Sequence, residues 1–353
     1  MSEALEHRRT AQIATLKGFC TRARGAECRR CELACPADAV SFDASRLPVI
    51  DADACTLCGI CLGICDAFTS KHVTMEDVHE RFVRIAKRGE EVVVTCEENL
   101  AEGARPAANV VVVPCLAALA PEFWTVVLAE NMTVRIALDF KRIDCRKCVR
   151  AGELGEALYT RAVETAESYT ERTVGYQRVV PEREDLVKDY TNPADVDRRG
   201  AFENMADDVV GIATGKRRLR NSKVLNDYVT RREKARAQVR LRLAEGVEHE
   251  DFAPAGQRRR TLWPKRKFLL AAIESEPSVA ARVPLLLART DAQRCRGAQD
   301  CVEVCPTGAR QPAEEGRPST FLPRYCIACG LCVAACPEHA VELEECTGAD
   351  LRA

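Results

Sequence analysis

Between residues 75 and 168 the chain runs in alternating blocks. "MEDVHERFVRIAKRGE" (75–90) repeats its apolar positions with helical spacing. The runs "EVVVTC" (91–96), "NVVVVPC" (109–115) and "TVRIALD" (133–139) are short and β-branched, with helical stretches near 116–130 and 149–168. Strands alternating with helices predict a small parallel sheet. Residues 171–290 are polar and read as helical in pieces. No run of about 18 apolar residues occurs, so no membrane span is expected.

Composition changes this picture in two places. The 353 residues suggest two or three domains. Hydrophobic content of 46% is ordinary, but aromatic content of 5% is low, which favours several small domains. The net charge of −1 names no partner. Charge is nonetheless uneven, for residues 216–267 hold seventeen Lys/Arg against six Asp/Glu. Such a stretch is either a solvated linker or a docking arm for an acidic partner. Nucleic acid is not favoured, since no aromatic interleaving or recognisable binding fold accompanies it.

The second departure is 20 cysteines. Disulfide frameworks suit small secreted domains. The start "MSEALEHRRTAQIATLKGFC" carries no apolar run of a secretory or twin-arginine signal. A cytoplasmic, reducing setting follows, in which clustered cysteines bind metals or do redox chemistry. Eight lie between Cys20 and Cys65, four between Cys96 and Cys148, and seven between Cys295 and Cys336, with Cys346 trailing. The outer groups are degenerate copies. "CRRCELACPADAV" (28–40) matches "CVEVCPTGAR" (301–310) at its end, and "DADACTLCGICLGIC" (51–65) matches "LPRYCIACGLCVAAC" (322–336) throughout. One small module used twice is the reading.

Spacing separates the metals. A structural zinc site usually takes two separated C-x₂-C pairs. "CIACGLCVAACP" (326–337) instead reads C-x₂-C-x₂-C-x₃-C-P, in which three thiolates fold round one cluster and the fourth reaches another. On these motifs the chain resembles bacterial dicluster [4Fe-4S] ferredoxin domains, present twice, over roughly residues 15–70 and 283–345. The resemblance implies compact α+β modules with two clusters each and swapped ligation. It implies one cubane on Cys326, Cys329 and Cys332 with Cys305, and one on Cys55, Cys58 and Cys61 with Cys35.

A third set would be Cys28, Cys31 and Cys65. Its missing first cysteine falls at Gly25, and Cys20 could return to it through the loop "CTRARGAEC". Asp66 stands where the proline after Cys65 is expected. The fourth set is Cys295, Cys301 and Cys336, with Ala298 where a ligand is expected. Three readings stay open there: a [3Fe-4S] cluster, a [4Fe-4S] cluster completed by water, Asp300 or another outside ligand, or no cluster. The cofactor count is thus three [4Fe-4S] clusters, or four.

The middle cysteines follow the predicted strands. Cys96 ends the first, Cys115 ends the second, and Cys145 and Cys148 follow the third. Ligands of parallel α/β sheets gather at the carboxyl ends of strands, so these four thiols should share one edge. That predicts a fifth site holding [2Fe-2S], [4Fe-4S] or zinc. The alternatives are unremarkable buried thiols, or thiol–disulfide chemistry if Cys115 and Cys148 open helices that lower a thiol pKa. Strand-end cysteines of this kind resemble the iron–sulfur delta subunit that links hydrogenases to heterodisulfide reductases.

Remaining features are bland. His72 and His79 read as surface residues, and Trp124 and Trp263 as packing residues. No G-x-G-x-x-G follows a predicted strand, and no G-x-x-x-x-G-K-[ST] occurs. The expected architecture is an N-terminal dicluster ferredoxin domain (1–74), an α/β domain (75–170), a charged, mostly helical linker or docking segment (171–282) and a C-terminal dicluster ferredoxin domain (283–353). The expected role is electron transfer without a substrate site of its own, as a subunit or redox partner of a cytoplasmic oxidoreductase complex of formate dehydrogenase, hydrogenase or heterodisulfide-reductase-like type. A thiol/disulfide oxidoreductase built on the central cysteines and a cluster-based redox sensor are the alternatives.

Overall fold

The computed structural model describes residues 13–70, 73–141, 143–183 and 256–352. They fall into two compact units. Residues 103–108 and 181–183 represent the smaller one, tied by Ala107 N–H to the Pro181 carbonyl at 2.9 Å. Everything below concerns the larger. Of the basic stretch 216–267, residues 216–255 lie outside the described residues, and so does most of the expected docking arm.

The larger unit begins with β1 (Ile13–Thr15), a short helix at Arg30–Leu33, and a hairpin of β2 (Val40–Phe42) and β3 (Pro48–Ile50). A helix at Ile60–Ile64 and β4 (Phe68–Ser70) complete this part. β1 pairs antiparallel with β4, and β2 with β3. Gly59 caps the Ile60–Ile64 helix at φ 79°, a left-handed turn that a residue without Cβ adopts most readily.

A longer helix, Met75–Ala86, opens on a full capping box: the Thr74 hydroxyl accepts from Asp77 N–H at 3.1 Å, and Asp77 carboxylate accepts from Thr74 N–H at 3.1 Å. Its apolar residues Val78, Phe82 and Ile85 are buried on one face. His79 lies deeper than a surface residue would. It pairs with Glu130 at 2.8 Å and its ring meets Phe123 and Phe268 edge-on.

Next come β5 (Val92–Cys96), β6 (Val110–Val113), β7 (Val134–Ala137) and β8 (Gly175–Gln177), all parallel, in the order β6-β5-β7-β8. The fourth strand lacks the β-branched run that marks the other three. All five residues of β5 are buried, as a parallel strand covered on both faces requires. The helix Pro121–Ala129 is buried along nearly all its length, between Gly152–Thr170 and Pro264–Ser275.

That last packing departs from the sequence pattern, which places 264–275 in a linker. The helix is core instead, because Phe268, Leu269, Leu270, Ala272 and Ile273 are all buried. Trp124 and Trp263 are packing residues, both buried, and Trp263 meets Phe19 edge-on.

After the helix Val279–Arg282 come β9 (Pro284–Thr290), a short helix at Asp300–Glu303, β10 (Arg310–Gln311), β11 (Thr320–Phe321), a helix at Leu331–Ala335 and β12 (Val341–Thr347). β9 pairs antiparallel with β12, and β10 with β11. The N-terminal topology therefore recurs: an outer pair, an inner hairpin, and one short helix before and one after that hairpin.

Candidate iron–sulfur centres

The loops ahead of the two equivalent helices have the same unusual backbone. Leu57 (φ 59°) and Gly59 (φ 79°) flank Cys58, and Ala328 (φ 52°) and Gly330 (φ 75°) flank Cys329. Left-handed residues either side of a cysteine curl the chain and turn successive amides toward the sulfurs. The amides of Ile60, Leu62 and Leu331 favour the thiolates of Cys58, Cys61 and Cys329 against the raising effect of burial.

Each loop is closed by a distant cysteine. Cys61 is raised first by burial, then by Cys58, Cys55 and Cys35 around it. Cys329 is pushed up to about 12 by burial, with further raising from Cys332, Cys305 and Cys326. Cys305, Cys326, Cys329 and Cys332 line one small cavity, walled by Ala288, Ala309, Arg310 and Phe321. The two groups are those expected for the first two cubanes. A backbone amide four residues on donates to a sulfur in each half: Ala39 N–H to Cys35 Sγ of the first group at 3.3 Å, and Ala340 N–H to Cys336 Sγ of the fourth expected set at 3.3 Å.

The third expected set also comes together. Burial pushes Cys31 up to about 12, and Cys65 and Cys28 raise it further. Cys65 is itself raised by burial, with Cys20 among its neighbours. Cys20 is buried, and the loop after it is carried back by a left-handed Gly25 (φ 107°). For the fourth set, Cys301 Sγ lies 3.4 Å from Ser319 Oγ, and Cys336 accepts from Ala340; Cys295 is half-buried. Ala298 offers no ligand atom, and Asp300 sits in the first turn of the short helix that carries Cys301.

The four central cysteines line a single cavity of about 230 Å³, together with Glu98, Asp144, Glu156 and Tyr159. Cys115 is pushed up to about 12 by burial, with Cys96, Cys58 and Cys148 raising it further. Cys145 is pushed up to about 11 by burial, then by Cys96, Glu156 and Cys148. Buried polar bonds hold the strand ends in line. Thr95 donates to the Ala137 carbonyl at 2.8 Å, and the Asn99 amide donates to both Thr95 Oγ1 and Ala137 O at 3.0 Å.

One expectation fails here. Cys115 precedes only a three-residue turn at Leu116–Ala118, and Cys148 closes a turn at Cys145–Lys147 rather than opening a helix. So short a turn has little dipole to stabilise a thiolate, and burial raises Cys115 instead of lowering it.

Two contacts tie this edge to the loop of Cys55, Cys58 and Cys61. Thr56 Oγ1 donates to the Arg150 carbonyl at 2.7 Å. Gly63 packs so closely that a Cβ there would lie 2.3 Å from the Ala117 carbonyl. Sequence reasoning missed several groups near the thiols. Lys265 approaches Cys65, Arg266 bonds the Cys326 carbonyl, and Arg310 walls the cavity that holds Cys332. Only Arg310 left a local signal, since it stands where the first copy of the repeat has Val40.

Thiols raised this far release protons when they bind iron, so ligand supply and pH are coupled. The loops in which three sulfurs of a C-x₂-C-x₂-C run meet a fourth from a distant segment fit iron–sulfur groups.

Comparison with known proteins agrees with this chemistry. Residues 287–337, which carry all seven cysteines from Cys295 to Cys336, match the 4Fe-4S dicluster domain family. This chain is also 47% identical over 60 residues to the thiosulfate reductase electron transfer subunit PhsB of Salmonella typhi. That stretch is 17% of this chain and 30% of the relative, so the likeness spans under a third of the relative's length. No solved structure matches the chain significantly. No helix among the described residues is long and apolar enough to cross a membrane.

Proposed function

We propose that this chain is an electron-transfer subunit of a larger oxidoreductase complex, built from two dicluster modules that flank a central α/β domain. Bound clusters would supply one-electron redox chemistry with little atomic movement. The observation that carries the reading is the recurrence of one grouping: Cys35 with Cys55, Cys58 and Cys61, and Cys305 with Cys326, Cys329 and Cys332. In each, three sulfurs from one tight loop meet a fourth from a distant segment.

The role of the chain's own residues follows from that grouping. Cys20, Cys28, Cys31 and Cys65 form the third ligand set. Cys295, Cys301 and Cys336 form the fourth, and the gap at Ala298 supports a [3Fe-4S] cluster first and an outside ligand second. Cys96, Cys115, Cys145 and Cys148 form a fifth site at the sheet edge, adjacent to Cys58. An iron–sulfur group and zinc are both compatible with that donor set. Burial of Cys115 and Cys145 weighs against the thiol–disulfide alternative, which needs a thiolate nucleophile.

The electron-transfer role named for the Salmonella relative supports the same role here, with partner subunits as donor and acceptor. A cytoplasmic setting, which keeps thiols reduced, suits a chain with 20 cysteines. Anaerobic purification with iron and sulfide counting and EPR tests the reading. About fifteen or sixteen irons per chain are expected from the two modules, and a larger number assigns the excess to the central site. Colourless protein without acid-labile sulfide overturns the proposal.

A further inference from the structure

At one equivalent position the C-terminal module buries an arginine where its N-terminal counterpart has a valine. Each inner hairpin opens on the fifth residue after a Cys-Pro cysteine. That residue is Val40 in the first copy, paired with Ile50, and Arg310 in the second, paired with Phe321. Arg310 is only 1% exposed. Its guanidinium donates to the Ala288 carbonyl and the Thr290 hydroxyl, reaches Ser319 Oγ at 3.4 Å, and lies over the Phe321 ring. It walls the same cavity as the Cys332 sulfur. Ser319 in turn touches Cys301 Sγ at 3.4 Å, so this one side chain stands between the third loop cysteine of one ligand set and a member of the other.

No carboxylate pairs with Arg310 among the described residues, and its Nε has no partner. A second buried cation lies on the Cys326 side. Arg266 is 9% exposed, donates to the Cys326 carbonyl, and leaves Nη1 buried without a partner, with Glu122 and Asp66 lining the same pocket as opposite charges. A guanidinium withdrawn from water without a counter-charge is strongly destabilising. Arg310, walling the cavity that the four sulfurs line, therefore requires an anion there, and four thiolates around iron provide one.

We infer that Arg310 is the counter-ion of the cluster held by Cys305, Cys326, Cys329 and Cys332, with Arg266 adding positive charge beside Cys326. They raise its reduction potential above that of the equivalent cluster on Cys35, Cys55, Cys58 and Cys61. The inference rests on the iron–sulfur reading above. Reduction adds one electron and one negative charge with no atom or proton transferred. A fixed cation in a low-dielectric site stabilises the reduced form, and an apolar Val40 does not. Electrons entering the chain from a partner therefore settle on the C-terminal module.

The test is an EPR-monitored redox titration of the fully loaded, full-length protein. The signal of this cluster is assigned as the one altered in Cys329→Ser. Arg310→Met, which keeps the side-chain length and removes the charge, shifts that signal's midpoint to more negative potential and leaves the others in place. Arg310→Lys keeps most of the wild-type value, and Arg266→Met shifts the same signal in the same direction. If Arg310→Met fails to retain iron, Arg310→Lys and Arg266→Met decide. Full iron content with an unchanged midpoint in both Met variants, or in Arg266→Met where only it loads, overturns the inference. Absence of iron from the wild-type protein instead defeats the reading beneath it.

Discussion

At the scale of single residues, sulfur ownership is the testable quantity. Cys20 stands eight residues before Cys28, outside the usual loop spacing, yet it is buried beside Cys65. Cys20→Ser should therefore lose about four irons per chain, read by iron assay on anaerobic protein. Cys346 belongs to no ligand set, and its Sγ rests 3.5 Å from the Leu285 carbonyl. Cys346→Ser should leave the iron count unchanged. The raised thiols make a second prediction. Cys31, Cys115 and Cys329 are pushed to about 12 by burial, from an ordinary value of 9.0. In cluster-free protein the fold thus holds protons that the unfolded chain releases. Stability from these thiols is complete below pH 9 and is lost as pH rises toward 12. Melting curves across that range should fall more steeply for cluster-free than for loaded protein, because ligated sulfurs carry no proton to lose.

At the scale of elements, the departure at Asp66 finds its reason. A proline is expected after Cys65, but the Asp66 carboxylate accepts the Lys265 N–H at 3.1 Å, capping the Pro264–Ser275 helix from 199 residues away. That helix has no cap from its own N-cap residue, Trp263. Asp66→Ala should cost about 1 kcal/mol, as lost helix caps do, measured by denaturant unfolding. Gly63 is the other sensitive joint. Gly63→Ala drives a methyl against the Ala117 carbonyl, and overpacking of this kind costs roughly 1–3 kcal/mol. It should also slow electron exchange between the loop of Cys58 and the central cysteines, followed by freeze-quench EPR; an unchanged rate would detach the central site from the path.

At the scale of the whole molecule, the larger unit shares one buried core. Phe82, Phe123, Trp124 and Phe268 connect the sheet, its covering helices and the returning 264–275 helix, and the core continues to Leu287 and Cys326. Low aromatic content favours several small domains, but four rings, Phe82, Phe123, Trp124 and Phe268, meet at one junction. Phe268→Ala should lower the stability of the whole unit by about 3–5 kcal/mol. Circular dichroism and visible cluster absorbance should then shift together in one transition. Separate transitions would mean independent modules.

Sequence alone determined what is local. A C-x₂-C-x₂-C loop places its three cysteines within a single turn of chain, and the same loop spacing recurs at 55–61 and 326–332. The three β-branched strands were legible for a similar reason, since their buried positions leave an apolar mark in each run. The short Gly175–Gln177 strand carried no such mark, as it borrows its stability from β7. Contacts across scores of residues were decided only in three dimensions: Asp66 capping a distant helix, Arg266 and Arg310 brought to the sulfurs, and four strand-end thiols facing one cavity. Those depend on how packed surfaces orient the elements, and no spacing along a chain encodes that directly.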